Sequence, residues 1–272
     1  WAMGLTQQKN GVSVIQEVSN LILMGGHIGK KGAGLCPVRG HSNVQGDRTV
    51  GIWERPSEAF LSRLDAACGI ESPREHGVDV VEAIQQMRDG GADLFFCMGG
   101  NFISATPDTE ATAEGLRNVK LTVQVSTKLN RSHLVTGETA LILPCLGRTE
   151  MDIQESGKQF VTVENSMGIV HTSEGSLRPA STHLRSEVWI VSSLATAALS
   201  DTRDWMELSH NYDQIRDLMS SALAGFEDYN VRVATPNGSA LPNPPRDSRT
   251  FDTPDGKAHL SEHAPPDVSA PD

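Results

Sequence analysis

Asp93-Leu-Phe-Phe-Cys-Met98, followed at once by Gly99-Gly100-Asn101, is the stretch that decides the fold. A continuous apolar run of this length reads as a strand buried on both faces, and the double glycine lets the backbone turn sharply behind it. A helix is expected from about Pro107 to Leu116, with Pro107 in its first turn. A second strand follows at Lys120-Leu-Thr-Val-Gln-Val125. Leu94 and Leu121 lie 27 residues apart, near the ~30 of a strand–helix–strand unit with parallel strands. Thr139-Ala-Leu-Ile-Leu143, stopped by Pro144, supplies a third strand. Residues 78–145 therefore read as a doubly wound α/β domain with a mainly parallel sheet.

Outward from this centre, helices are expected at Ser57–Cys68 and at Asp79–Arg88, the latter capped by Asp79 and Glu82 and ended by Gly90-Gly91. Ser13–Met24 carries Val14, Ile15, Val18, Leu21 and Ile22 at helical spacing, with Ser13 and Gln16 as its capping box. Residues 25–51 dissolve into glycine-rich irregular chain, and a long loop of this kind inside a compact domain is usually functional. Beyond the centre, Gln159–Glu164 and Gly168–Ser173 read as an antiparallel pair, and helices follow at Ser186–Leu199 and Asp213–Phe226. The stretch 235–272, rich in Pro, Gly, Asn and Asp, has no core-forming pattern and reads as a linker or extended arm.

Composition excludes several classes. The 272 residues carry 23 Lys and Arg against 34 Asp and Glu, a net charge of −11, which repels nucleic acid. No apolar run approaches the ~20 residues needed to span a bilayer. Cys36, Cys68, Cys97 and Cys145 are scattered without a Cys-x-x-Cys pair, fitting neither a disulfide framework nor a zinc or iron–sulfur ligand set, so a reducing compartment, the cytoplasm, is expected.

The candidate chemistry lies mostly in the loops. Gly32-Ala-Gly34-Leu-Cys-Pro37 has proline where a dinucleotide fingerprint needs its third glycine, which argues against a simple nicotinamide dehydrogenase. His259-Leu-Ser-Glu262-His263 spells an inverted zinc-peptidase motif but sits among prolines, where a ligand-aligning helix is not expected. Asn130-Arg-Ser132 and Asn237-Gly-Ser239 spell glycosylation strings with nothing else to support secretion. Pro37-Val-Arg-Gly-His-Ser-Asn-Val-Gln-Gly46 is different. It packs the guanidinium of Arg39, the imidazole of His41 and the carboxamides of Asn43 and Gln45 between glycines, a set of planar donors suited to a carboxylate or oxo group. The turn Gly99-Gly100-Asn101 lies where ligands bind in open parallel sheets, beyond the strands' carboxyl ends. Gln124 is expected to face the same crevice, and Asp108 stands near the intervening helix N-terminus.

Together these strings resemble the molybdopterin oxidoreductases that bind two molybdopterin guanine dinucleotides, the DMSO reductase superfamily, and in particular formate dehydrogenase alpha subunits and oxidoreductases of the FdhF/YdeP type. Trp1-Ala-Met-Gly-Leu-Thr-Gln7 is similar to that family's aromatic-Ala-Met-Gly-x-Thr-Gln segment. Gly26-His-Ile-Gly-Lys-Lys-Gly-Ala-Gly34 resembles its Gly-Asn-Ile-Gly-x-x-Gly-x-Gly, and Pro37–Gly46 its Pro-x-Arg-Gly-Gln-Asn-Asn-Val-Gln-Gly. Met98-Gly-Gly-Asn101, Val123-Gln-Val, Ala140-Leu-Ile-Leu-Pro144 and Phe251-Asp-Thr-Pro-Asp-Gly-Lys-Ala258 have counterparts further on. His41 stands where formate dehydrogenases commonly have glutamine, Gly100 replaces an acidic residue, and Val125 replaces an aspartate of the guanine pocket.

The resemblance implies the central part of a catalytic subunit. Residues 1–50 would end a first α/β cofactor domain and carry the active-site loop. Residues 51–230 would form a second, dinucleotide-binding domain, and 231–272 would lead to a C-terminal one. Arg39, with His41, would be catalytic, orienting a small anionic substrate such as formate beside molybdenum. Met3, Gly4, Thr6, Asn43 and Gln45 would lie against cofactor, and Gly99, Gly100, Asn101, Asp108, Gln124 and Ser126 would hold the guanosine and phosphates of a dinucleotide. No metal ligand is assigned in this chain. The molybdenum ligand and a 4Fe-4S cluster are expected upstream, with electrons passing to an electron-transfer subunit. A non-catalytic subunit of a respiratory complex that keeps the fold is the alternative, against which the Arg39 cluster argues. A binding protein for another nucleotide would keep the Gly99 crevice but leave the Arg39 loop unexplained.

Overall fold

The computed structural model describes residues 1–41, 43–199 and 203–265. They form two compact units interleaved along the chain. One gathers Trp1–Gly51, Thr162–Thr172 and the chain from Val231 on; the other gathers Ile52–Val161 and Ser173–Asn230.

The second of these is built on a parallel three-stranded sheet of β1 (Leu94–Met98), β2 (Leu121–Ser126) and β3 (Thr139–Pro144), in the order β1-β2-β3. Leu94 stands opposite Leu121, which stands opposite Thr139. The expected α/β class and parallel pairing are present. Strand order is sequential, so no reversal of the kind that marks a doubly wound sheet occurs among the described strands. The central β2 is buried from Thr122 to Ser126, whereas Leu141 and Ile142 of the edge strand β3 stay exposed.

Helices Val80–Arg88 and Thr109–Asn118 enclose a core of Ile84, Met87, Leu116 and Val119, against which Phe95 of β1 and Phe102 pack. Burying Leu116 almost completely contributes about 1.5–3 kcal/mol. The two helices approach closely at Gly115, where a Cβ would lie 3.1 Å from the Met87 Cβ. Asp79 and Glu82 form the expected capping box. The next helix differs from expectation: Asp108, and not the first-turn Pro107, sets its start, because the Asp108 carboxylate accepts the Ala111 N–H at 2.9 Å. A one-turn helix, Phe102–Ala105, precedes it. Helices Glu58–Cys68, Glu187–Ala198 and Tyr212–Ala222, capped by Ser57, Ser186 and Asn211, complete the unit. Tyr212 is buried, donates its hydroxyl to Asp152 and lies 2.8 Å from Ser186 Oγ. Burial first, and the Asp152 carboxylate second, push its pKa far above the usual tyrosine range.

In the other unit, the helix Gly11–Met24 begins before the Ser13 box expected for it and has no side-chain cap. Gly11 packs against the preceding turn, a Cβ there meeting Leu5 O at 2.7 Å, so packing fixes the helix entry. The glycine-rich stretch is not wholly irregular either, since Val44–Thr49 is a short helix. Strands Val161–Glu164 and Ile169–Ser173 are neighbours, as expected, and are joined by Ser239–Ala240, which pairs antiparallel with the second of them. The expected linker or extended arm is docked over its described length. Leu241 is buried, Arg246 donates to Met167 O and Leu241 O, and Ser261 is bonded through its backbone to the side chain of Asn20. Its polarity hid this, because its contacts are hydrogen bonds rather than an apolar stripe. No helix among the described residues is long and apolar enough to cross a membrane.

Candidate functional site

At the carboxyl end of β1 the chain turns through Gly99 and Gly100 with φ of 70° and 78°, a region open to glycine without strain. A Cβ on either residue would meet nothing within 4 Å, so the turn leaves bare backbone facing open space. Beneath it lies a buried polar support. Ser132 Oγ accepts the Ile103 N–H at 3.0 Å and donates to Asn101 Oδ1 at 3.0 Å. Gln124 Nε2 donates to Ser132 O at 3.1 Å, and Asn130 Nδ2 donates to Gly100 O at 2.7 Å. Ser126 Oγ pairs with His133 Nε2 at 3.0 Å. Cys97, at the strand end, is a thiol pushed up by burial, consistent with a core residue.

Gly99, Gly100, Asn101, Gln124 and Ser126 thus converge on one supported turn. Their parts differ from one another: the two glycines are its open face, while Gln124, only 4% exposed, holds the backbone of the next loop from below. Asp108 caps its own helix and makes no hydrogen bond to that support among the described residues. The residues missed in the sequence are Asn130, Ser132 and His133. Asn130 Oδ1 caps a 3-10 turn by accepting the Ser132 N–H at 2.9 Å, so the spelling of a glycosylation string there reflects a cap-box pattern.

The second cluster belongs to the other unit. Trp1 is tied to the stretch before Arg39 by its backbone nitrogen donating to Cys36 O at 3.2 Å and by Val38 N–H donating to Trp1 O at 2.6 Å. This brings the single helical turn Met3–Thr6, with Met3, Gly4 and Thr6 all exposed, beside the chain leading to Arg39. Gly29, in the glycine-rich stretch, lies under the Arg249 side chain, which donates from Nε to Ile28 O at 3.1 Å. Arg39 and His41 are exposed and make no hydrogen bond or ion pair among the described residues. Asn43 adopts a left-handed φ of 63°, and its Oδ1 accepts the Glu164 N–H at 2.9 Å while Gln45 Nε2 donates to Glu164 Oε1 at 2.8 Å. Burial pushes the Asp47 carboxyl up, offset in part by Arg48. Glu164 was not legible as a partner of this loop, because 119 residues separate it from Gln45.

His259-Leu-Ser-Glu262-His263 lies in irregular chain, with His259 Nε2 2.9 Å from Asp255 Oδ1. No group of three metal-capable side chains occurs among the described residues.

No family model matches the chain. It is 56% identical over 263 residues, 96% of its length, to an uncharacterized oxidoreductase of Mycobacterium tuberculosis, and 48% identical over 261 residues to protein YdeP of Escherichia coli. A shorter match, 30% identical over 107 residues, links it to a protein of Staphylococcus aureus named as a candidate formate dehydrogenase, covering 36% of this chain and 11% of that one. The chain spans about a third of the length of the first two, 34% in each case. By similarity, then, it corresponds along nearly its whole length to one third of a longer protein of the kind named oxidoreductase.

Proposed function

We propose that the chain is the central part of the catalytic subunit of a molybdenum-dependent oxidoreductase resembling formate dehydrogenase, which binds Mo-bis(molybdopterin guanine dinucleotide) and acts on a small anionic substrate such as formate. The observation that carries this reading is Arg39: an exposed guanidinium with no partner among the described residues, on a loop anchored on one side by Trp1 and on the other by Glu164. A cation held this way has both edges of its planar fork available to a carboxylate. His41, two residues on, is the imidazole available to take or give a proton.

The residues present also fit the cofactor. Gly99 and Gly100 offer bare backbone that a phosphate or ribose can approach, and the exposed turn at Met3, Gly4 and Thr6 leaves open space above Gly4. Asn101 is held in place by Ser132, so its orientation is set before any ligand arrives. When bound, the molybdenum–pterin group supplies two-electron redox chemistry, and the 4Fe-4S cluster expected upstream carries the electrons away toward an electron-transfer subunit. In this reading residues 1–50 end one cofactor domain, 51–230 form a second and 231–272 lead toward a third, all in the cytoplasm.

The test is direct. Full-length protein is purified, its molybdenum measured by mass spectrometry and its guanine nucleotide released by acid and separated by chromatography. Both are expected. A folded, full-length protein carrying neither would leave the non-catalytic subunit as the better reading.

A further inference from the structure

Glu164 is a buried carboxylate, 9% exposed, and its Oε2 is enclosed without a hydrogen-bond partner among the described residues. Burying such a group is costly, because water no longer solvates the charge. Two of its other interactions point one way. Its Oε1 accepts from Gln45 and its backbone N–H donates to the side chain of Asn43, so one residue grips the Asn43–Gln45 turn twice. Asn43 stands at the N-cap of the helix Val44–Thr49, and its side chain makes no bond to the helix backbone; its Nδ2 donates to Asp47 Oδ1 at 3.2 Å while its Oδ1 reaches the strand Val161–Glu164. Gly46 completes the arrangement: a Cβ would sit 1.9 Å from Asn43 Oδ1 and force that oxygen away.

We propose that Glu164 is a positioning residue for Arg39 and His41, fixing the chain that follows them at Asn43 and Gln45; this rests on the function proposed above for Arg39. The grip works through hydrogen-bond geometry. A neutral isostere that keeps the acceptor for Gln45 therefore preserves it, and removes a buried charge as well.

The experiment uses full-length protein and compares wild type with Glu164→Ala, Glu164→Gln and Gly46→Ala. Hydrogen exchange is followed by mass spectrometry in peptides covering residues 39–49, together with molybdenum content and turnover with formate as the probe. Loss of the grip in Glu164→Ala is expected to speed exchange there about tenfold, the scale of one hydrogen bond. Glu164→Gln is expected to restore slow exchange without lowering the melting temperature. Gly46→Ala should exchange as fast as Glu164→Ala, although alanine is the better helix former. With metal content unchanged, kcat/KM for formate should follow the same order. Wild-type exchange in both Glu164→Ala and Gly46→Ala, or a Glu164→Gln variant as loose as the alanine, overturns the proposal. Should Glu164→Ala fail to fold, Glu164→Gln and Gly46→Ala still decide it. A wild type without molybdenum or formate turnover would defeat the reading of Arg39, while the exchange rates would still judge Glu164.

Discussion

The Gly99 turn and the Arg39 loop are both glycine-rich, but they are held in opposite ways. The turn is supported by its own supersecondary unit: Asn130 and Ser132, which brace it, follow β2 by a few residues, and they lie within about thirty residues of Gly100 and Ile103. The loop is held by a strand more than a hundred residues away, through Glu164. Local support makes the turn rigid by construction. Remote support leaves the exposed cation of the loop dependent on tertiary contacts, to Trp1 on one side and Glu164 on the other.

That contrast can be broken in graded ways. The largest effect is expected from Arg39→Ala in the full-length protein: kcat/KM for formate falls about a hundredfold or more, as when a charge-assisted bidentate contact is lost. Stability should move by no more than about 0.5 kcal/mol, because Arg39 is exposed and makes no bond among the described residues. Steady-state kinetics paired with urea unfolding checks both halves, and an unchanged rate would remove Arg39 from the site. Ser132→Ala should do the reverse at the turn. It strands the buried Ile103 N–H and frees Asn101, at a cost of about 2 kcal/mol in unfolding free energy. A loss below about 0.5 kcal/mol would mean that the turn does not lean on this support. Gly99→Ala meets no side-chain clash, so only its φ of 70° resists, and about 1–2 kcal/mol is expected in the same assay. Asp108→Ala, which removes a helix cap outside the support, should be smallest at about 1 kcal/mol, and it should leave cofactor content unaltered unless Asp108 also touches the dinucleotide.

The parallel sheet was legible because β1 and β3 carry apolar runs, β2 places Leu121, Val123 and Val125 at alternate positions, and the 27-residue spacing leaves room for one crossover helix. The capping box at Asp79 was legible for the same local reason. Pro107 was misleading because two N-terminal signals stand side by side, and the aspartate, which can accept a backbone N–H, outranks the proline, which only presets φ. Asn101 and Gln124 were readable as members of one cluster, but their hydrogen bonds to Ser132 were not, since a carboxamide has the same spelling whether it lines an opening or braces a loop. The docking of the tail was not legible because Arg246 and Ser261 dock by polar bonds that leave no periodic apolar trace.

The sequence by itself determined the α/β class, the strand–turn–helix order around Gly99 and the grouping of Arg39, His41, Asn43 and Gln45, because all of these follow from residue type and short spacing. Only the tertiary structure decided that the chain divides into two interleaved units, that Gln124 lies beneath the turn and that Glu164 grips the Arg39 loop. Those outcomes depend on which distant segments come together, and a buried carboxylate is recognisable as a clamp only when the groups it touches are in place.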